Sequence, residues 1–323
     1  MPRALVIHPG ALGDVLLALP ALAHLRTLEP GRERVVALAP RLAALLEGSA
    51  YAEATVSLDA LNLHRLFTPE ADPAVLADLA GYDPVVSWFG AGESVYRRHL
   101  GALAARGRRV IVARATPDPA AGRHASRHLL DTLAPLGPLP DAPPSVRLAA
   151  HPAERAWAAG WLEERGLAPG RVALLHPGAG SPAKVWPDFP ALVRRLARAG
   201  LPVVALTGPA EAAATAALAA RAALPESRIA RDLPLRGLAA LLEHAALFVG
   251  NDSGLSHLAA VVGVPALVLF GPTDPRAWAP IGPRVTVLAG SGPGSRDPWA
   301  DLDVGRVERA VLELAGGSAS DVA

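Results

Sequence analysis

The segment that decides the fold reads Gly250-Asn251-Asp252-Ser253-Gly254-Leu255-Ser256-His257. The apolar run before it, residues 245–249, predicts a short buried strand, and the small residues from 253 to 262 have helical spacing. A strand, a glycine-bounded turn and a helix together present unpaired backbone N–H groups to an anion. The turn also suits ordinary helix capping by Asp252 or Ser253. The rest of the chain must therefore decide between an anion site and a simple cap.

Composition indicates a globular protein with room for two domains. The chain has 323 residues, of which 51% are hydrophobic and 19% charged. The net charge of +1 gives no reason to expect binding to nucleic acid. The absence of cysteine excludes disulfides, thiolate metal sites and a cysteine nucleophile.

Two apolar runs bear on the location of the protein. Residues 4–7 are too few for a signal peptide, and glycine and proline interrupt the run at 258–270. We therefore expect a cytoplasmic protein.

One further feature of the composition is unusual, because 30 of the 31 basic residues are arginine and the remaining one is Lys184. A site that needs a compact ammonium group would explain this single lysine.

Alternation of strand and helix patterns predicts an α/β fold with parallel sheets. Further strands are predicted at residues 4–7, 34–38, 55–58, 85–88, 109–112, 172–176, 202–206, 228–231, 266–270 and 284–288. The proline-rich segment at 136–151 is the best linker candidate. We accordingly predict an N-terminal Rossmann-like domain (1–145), a C-terminal Rossmann-like domain (152–302), and a final helix and tail (303–323). The final helix is expected to pack back on the N-terminal domain.

The two halves of the chain repeat one motif. The first predicted strand of each half runs into His-Pro-Gly-Ala, at residues 8–11 and 176–179. Ligands of open parallel sheets bind at the carboxyl ends of strands. The repeat therefore predicts two Rossmann-like domains that face one another across a central cleft, although chance repetition in a chain rich in proline and glycine is the alternative.

The first repeat leads directly to an acidic residue. Asp14 ends the sequence Gly10-Ala11-Leu12-Gly13-Asp14 and begins a predicted helix that continues to Leu28 with a kink at Pro20. The carboxylate could balance the helix dipole, or it could serve as a general base. The glycine spacing differs from the dinucleotide-binding fingerprint, so the residues do not support a dinucleotide cofactor.

The second repeat leads to a glycine-rich loop that contains Ser181 and Lys184. A hydroxyl and a cation in such a loop after a strand suit a diphosphate. Glu211 follows the next predicted strand and could accept hydrogen bonds from a ribose. It could equally be an exposed residue of the first helical turn.

Two other clusters contain residue types that bind metals. His124, Arg127, His128 and Asp131 share one helical face, but an anion patch or a solvated face explains them better. Asp301 and Asp303 precede the last predicted helix, and capping explains them better than metal binding. We therefore predict no metal site and no cofactor.

Taken together, these motifs resemble glycosyltransferase family 9, the lipopolysaccharide heptosyltransferases. The resemblance rests on the segment around Asp14, on His176-Pro177-Gly178-Ala179 with Lys184-Val185-Trp186-Pro187, and on the segment from Gly250 to Ala260 with Phe270-Gly271-Pro272-Thr273-Asp274-Pro275. It implies the two-domain GT-B fold, with residues 1–145 binding the acceptor and residues 152–302 binding the nucleotide-sugar donor. It also implies an inverting, metal-independent transfer of a heptose from an ADP-activated donor. The implied acceptor is a lipopolysaccharide core or another lipid-linked saccharide, which adds peripheral contact with the inner membrane.

The resemblance also implies roles for particular residues. Asp14 is the expected general base, and Gly13 and Arg127 are expected on the acceptor side. The expected donor-binding residues are Ser181, Lys184, Glu211, Asp252, Ser253, Gly254 and His257. Three alternatives remain open from the sequence, namely a family member with another nucleotide sugar or acceptor, a GT-B nucleotide-sugar epimerase, and a catalytically silent binding module.

Overall fold

The computed structural model describes residues 2–208 and 211–317, and the chain divides into two compact units, residues 1–146 and 147–323. Each unit contains one parallel sheet with helices along its connections. The division falls inside the proline-rich segment. Within the described ranges, no helix combines the length and apolar character needed to cross a membrane.

Within residues 2–146, the first unit has five strands and six α-helices. The strands are β1 (Arg3–Ile7), β2 (Glu33–Leu38), β3 (Ala54–Ser57), β4 (Val85–Ser87) and β5 (Val110–Val112). The helices are α1 (Leu12–Leu17), α2 (Leu19–Leu28), α3 (Pro40–Leu46), α4 (Pro73–Leu79), α5 (Ser94–Gly101) and α6 (Ala125–Asp131). The strand order is β3-β2-β1-β4-β5, and every pairing is parallel.

The first predicted helix is present as two helices. We expected one helix with a kink at Pro20, whereas α1 ends at Leu17 and α2 begins at Leu19. Pro20 is the second residue of α2, where its missing N–H is tolerated. The break between the two helices is at Ala18, two residues before the proline.

The described residues of the second unit form six strands and seven α-helices. The strands are β6 (Ala173–His176), β7 (Val203–Thr207), β8 (Ile229–Arg231), β9 (Leu247–Asn251), β10 (Ala266–Phe270) and β11 (Val285–Ala289). The helices are α7 (Pro152–Glu163), α8 (Phe189–Arg198), α9 (Ala212–Ala222), α10 (Leu235–Glu243), α11 (Gly254–Val262), α12 (Pro275–Trp278) and α13 (Val304–Gly317). The strand order is β11-β10-β9-β6-β7-β8.

Both sheets have the strand order of a Rossmann fold, which confirms the predicted α/β class. In each sheet the order reverses beside the first strand of the unit, between β1 and β4 and between β6 and β9. Helices cover both faces of such a sheet, so its central strands are apolar throughout, as the fully buried strands β7 and β10 illustrate. Ligands of this fold bind where the strand order reverses, outside the carboxyl ends of the strands.

The last helix belongs to the core of the second unit. Val307 and Val311 are fully buried in the cluster that contains Leu192 and Leu196 of α8. The indole of Trp186 donates a hydrogen bond to the carbonyl of Leu302, just before this helix. The expected packing of the helix on the first unit stays a prediction, and residues 318–323 of the predicted tail lie outside the described ranges.

Candidate functional site

The carboxyl ends of β6 and β9 bring the single lysine to the deciding segment. The Lys184 ammonium lies 2.7 Å from Oδ2 of Asp252, which is 7% exposed. The Thr273 hydroxyl donates to the same oxygen over 2.8 Å. An ammonium group has three donor hydrogens, so a single contact to Asp252 leaves two for another anion. Lys184 is 30% exposed, which keeps the ammonium accessible to a ligand.

The loop that carries Lys184 is fixed to the end of β9 by one side chain. Asn251 is fully buried, and its amide donates to the carbonyls of Pro177 and Gly178 over 3.0 and 3.1 Å. Its oxygen accepts the backbone N–H of Trp186 over 3.0 Å. The strand prediction ended before this residue, whereas β9 continues through Asn251. Asn251 is therefore part of the sheet and connects both ends of the loop to it.

A hydrogen-bonded group of small polar residues lies beside this connection. Nδ1 of His176, at the end of β6, is 3.2 Å from Oγ of Ser253. The Ser253 hydroxyl is also 3.3 Å from that of Ser256. Ser253 holds the N-cap position of α11, but its side chain makes no capping bond. The expectation that Asp252 or Ser253 caps the helix is thus wrong for their side chains, because each is engaged elsewhere.

The first turn of α11 has the character of an anion site. Gly254 begins the helix, and a helix begins with N–H groups that have no partner within the helix. The helix dipole adds partial positive charge at this end. His257 follows one turn later and is 5% exposed. Four of the predicted donor residues, Asp252, Ser253, Gly254 and His257, thus lie on one strand end and the helix turns that follow it.

Glu211, a further predicted donor residue, contacts the end of β7. Its Oε2 accepts the backbone N–H of Gly208 over 3.1 Å at the end of β7. Its side chain lies directly against Gly178, where even a Cβ atom would overlap the Cγ of Glu211. Ser181 contacts the same loop through its carbonyl, which accepts the N–H of Lys184 over 3.1 Å. Glu211 therefore borders the loop that carries the lysine, and Ser181 is part of that loop.

The first unit has a similar turn after β1. His8 is 1% exposed, and its Nδ1 accepts the N–H of Gly10 over 3.0 Å. Asp14 is the third residue of α1, and its Oδ2 accepts the N–H of Ala11 over 3.0 Å. The side chain of Asp14 thus helps to cap the N-terminus of α1. Gly13 precedes it in the first turn of the helix.

Burial keeps the two histidines of the repeated motif neutral. Desolvation lowers the pKa of His8 to about 4, and it lowers the pKa of His176 to about 4 as well. The neutral ring of His8 packs edge-on against Trp88, whose indole donates to Thr132 over 2.9 Å. Both histidines therefore serve as uncharged acceptors or donors at neutral pH.

Arg127 makes structural contacts within the first unit. Its Nε donates to Asp131 over 2.7 Å, and its Nη1 donates to the carbonyls of Pro140 and Asp141. These bonds fix the segment after α6. Its expected role on the acceptor side stays a prediction.

The acidic and histidine side chains form no metal cluster in the part of the chain that the structure describes. His124 accepts the N–H of Ser126 at the start of α6, and His128 bonds the carbonyl of Arg114. Asp303 accepts the N–H groups of Gly305 and Arg306, which confirms the predicted cap of the last helix.

Two units with the strand order of a Rossmann fold, one of which combines an accessible ammonium with a helix N-terminus, define an α/β protein with a candidate anion site. Comparison with known proteins identifies the family. The model of glycosyltransferase family 9 (heptosyltransferase) matches residues 105–296, more than half of the chain. The chain therefore belongs to glycosyltransferase family 9, a family of glycosyltransferase enzymes, as its motifs predicted.

Individual relatives agree with this assignment. Lipopolysaccharide heptosyltransferase 3 of Escherichia coli is 33% identical over 112 residues, which is 33% of each chain. The match thus spans about a third of the length of that curated relative. A family 9 glycosyl transferase of Veillonella parvula has a TM-score of 0.78 at 19% identity, covering 97% of both chains. The ADP-heptose LPS heptosyltransferase II of Escherichia coli has a TM-score of 0.72 at 20% identity, covering 97% of this chain and 98% of its own. These likenesses confirm the GT-B fold.

Sequence reasoning overlooked two residues of the site. Asn251 and Thr273 lie within motifs that the sequence analysis quoted, but neither was assigned a role. An asparagine at the end of an apolar strand is a usable signal, because a buried amide needs hydrogen-bond partners. The contact of Thr273 with Asp252 joins residues 21 positions apart, and no local pattern predicts it.

Proposed function

We propose that this chain is an inverting, metal-independent glycosyltransferase that moves a heptose from ADP-heptose to a lipid-linked saccharide of the lipopolysaccharide-core type. The observation that carries the proposal is the placement of Lys184 against Asp252 beside the first turn of α11. The names of the relatives support the choice of donor and acceptor, since one is an ADP-heptose LPS heptosyltransferase.

The second unit supplies the stabilisation of the leaving group. Negative charge grows on the diphosphate as the bond to the anomeric carbon breaks. The two remaining donor hydrogens of Lys184 and the N–H groups at the start of α11 are fixed before the reaction, so they stabilise this charge without reorganisation. Glu211 accepts hydrogen bonds from the hydroxyls of the donor ribose. Ser181, Ser253 and His257 complete the donor site.

The first unit supplies the proton acceptor. Asp14 takes the proton from the acceptor hydroxyl as that hydroxyl attacks the anomeric carbon, and the nucleoside diphosphate leaves from the opposite face. This single displacement inverts the anomeric configuration. Asp14 accepts the proton as the hydroxyl becomes acidic in the transition state. Gly13 and Arg127 contribute to the acceptor side.

A panel of nucleotide sugars tests the proposal. Purified protein is titrated with ADP-, UDP- and GDP-sugars, and affinity is measured by calorimetry with and without EDTA. We expect ADP-heptose to bind most tightly and EDTA to change the affinity little. In Lys184→Met, the loss of one fixed donor lowers the rate of transfer by roughly 10²–10³-fold. Lys184→Arg is the matched control for charge alone, and it restores only part of the rate because the planar group differs in shape.

Other outcomes identify the alternatives. Preferential binding of a UDP- or GDP-sugar contradicts the proposed donor, and loss of activity with EDTA contradicts a metal-independent reaction. Formation of an epimer from UDP-GlcNAc without any acceptor indicates an epimerase. Binding without transfer to any lipid-linked saccharide, and without donor hydrolysis, indicates a silent binding module.

A further inference from the structure

The side chain of Asn251 connects the two ends of the loop that carries Lys184. Its side chain is fully buried at the end of β9 and makes three hydrogen bonds, all to backbone atoms. Two of these go to the start of the loop that leaves β6, at Pro177 and Gly178. The third comes from Trp186, at the far end of the same loop. One amide thus closes residues 177–186 into a ring attached to the sheet.

The far end of this ring is fixed independently. Trp186 is 1% exposed, its indole packs edge-on against Phe189, and its Nε1 donates to the carbonyl of Leu302. The start of the ring continues directly from β6. Lys184 lies between these two fixed ends, two residues before Trp186. Its ammonium contacts Asp252, the residue that follows Asn251. The position of the ammonium therefore depends on both closures.

The composition of the chain gives an independent argument. The sequence contains no glutamine and two asparagines, Asn62 and Asn251. Asn62 is exposed and has a left-handed backbone (φ 50°), a conformation that asparagine tolerates well. Asn251 has no such backbone requirement. It is explained by its hydrogen bonds, because an amide supplies two donors and an acceptor, whereas aspartate has no donor and serine is shorter.

We propose that Asn251 is a positioning residue that holds the loop 177–186 so that Lys184 presents its ammonium to the diphosphate of the donor. The inference rests on the proposed function, since it assigns Asn251 an effect that acts through Lys184. It extends that function by a fully buried residue whose side chain bonds only to backbone atoms of the loop.

A double-mutant cycle tests the inference with ADP as the probe. Asn251→Ser replaces the amide with a shorter hydroxyl that cannot make all three hydrogen bonds and introduces no charge, and Asn251→Asp keeps the acceptor while it removes the donors. Affinity for ADP is measured by calorimetry for each variant, with and without Lys184→Met. We expect Asn251→Ser to weaken ADP binding by about tenfold, and by much less when Lys184 is already methionine, because coupled residues are not additive. Asn62→Asp is the matched control and leaves the affinity unchanged.

Hydrogen exchange supplies a readout that does not depend on the ligand. We expect the amides of residues 177–186 to exchange faster in Asn251→Ser than in the wild type, and no change in Asn62→Asp. Should Asn251→Asp fail to fold because of its buried charge, the uncharged serine variant still decides the question. Equal ADP affinity in the wild type and Asn251→Ser overturns this inference alone. Failure of the wild type to bind ADP overturns the proposed function, and this inference with it.

Discussion

In the first unit, the turn after β1 is closed by its own side chains. His8 accepts the N–H of a residue two positions later, and Asp14 accepts an N–H three positions earlier. In the second unit, the corresponding turn after β6 is held by residues far away in the sequence. The contacts of Asn251 and Ser253 with this turn and the loop that follows it join positions 65–77 residues apart.

The difference follows from what each turn has to reach. The first turn passes from β1 to α1 within a few residues, so local hydrogen bonds can define its shape. The second continues into a longer loop that places Lys184 near the neighbouring strand, and a longer loop has more conformational freedom to lose. Its shape therefore depends on the pairing of β6 with β9, which brings Asn251 to the loop.

The two turns nevertheless share one arrangement around their glycine. Gly10 lies between the ring of His8 and the side chain of Asp14, where an added Cβ would come within 2.7 and 2.5 Å of them. Gly178 lies in the same way between His176 and Glu211. The repeated sequence thus produces a repeated contact, a glycine between a neutral histidine and an acidic residue.

The largest effect is expected at Asp14, where cap and base can be separated. Asp14→Asn keeps an oxygen that accepts the N–H of Ala11 but cannot take up a proton as a carboxylate does. We expect both Asp14→Asn and Asp14→Ala to lose roughly 10²–10⁴-fold in the rate of transfer, with donor affinity within a few-fold of the wild type. Single-turnover kinetics and calorimetry measure the two quantities.

The two variants control for each other, because they differ in whether the hydrogen bond to the N–H of Ala11 is kept. Asp14→Ala alone loses the cap, which costs about 0.5–2 kcal/mol of stability, so only this variant should unfold at a clearly lower temperature. Normal transfer by Asp14→Asn would show that the carboxylate is only a cap and that the base lies elsewhere.

The glycines of the two turns should be sensitive to a single added methyl group. We expect Gly10→Ala and Gly178→Ala to lose about 1–3 kcal/mol in the free energy of unfolding, because the new Cβ must displace a histidine and an acidic side chain. Gly180→Ala is the matched control in the same loop, since its Cβ would have no neighbour within 4 Å. Thermal unfolding measures all three, and equal stability of Gly178→Ala and Gly180→Ala would contradict the close packing described here.

The smallest expected effect is a loss of folding stability at acid pH, and the two units should contribute equally to it. The pKa of each motif histidine falls from 6.5 to about 4 on folding, so the unfolded chain binds more protons between these values. Stability from this source is complete above pH 6.5 and is lost as the pH falls towards 4. At pH 5.5 the loss is about 1.4 kcal/mol for each histidine.

Denaturant unfolding at pH 7.5 and 5.5 measures this loss. The double variant His8→Asn, His176→Asn keeps neutral polar groups at both positions and should show a correspondingly smaller decrease in stability at pH 5.5. An unchanged decrease would show that other groups cause the acid sensitivity. Each single variant should remove about half of the effect if the two turns are equivalent.

Much of the fold could be predicted from local sequence. The predicted strands are all present, within a few residues, because a parallel sheet that is covered on both faces requires continuous apolar runs. The predicted ends of strands differ from the observed ends where an apolar run meets a polar residue. The strand β9 extends through Asn251, since a polar residue can end a buried strand when its hydrogen bonds are satisfied.

The site was predictable to the extent that it consists of turns. The glycines, Asp14 and Lys184 stand out in the sequence, and the structure brings Lys184 to Asp252 from 68 residues away. The contacts of Asn251 and Thr273 were not predicted, because each depends on which strands become neighbours and on where those strands stop.

The sequence by itself determined the two alternating α/β halves, the turns that end their first strands and the family to which the chain belongs, because these depend on periodicity and on short motifs. Only the tertiary structure decided which side chains hold the lysine loop in place. Those contacts form when the order of the strands places β9 beside β6, and the order of strands in a sheet is a property of the whole packed unit rather than of any segment.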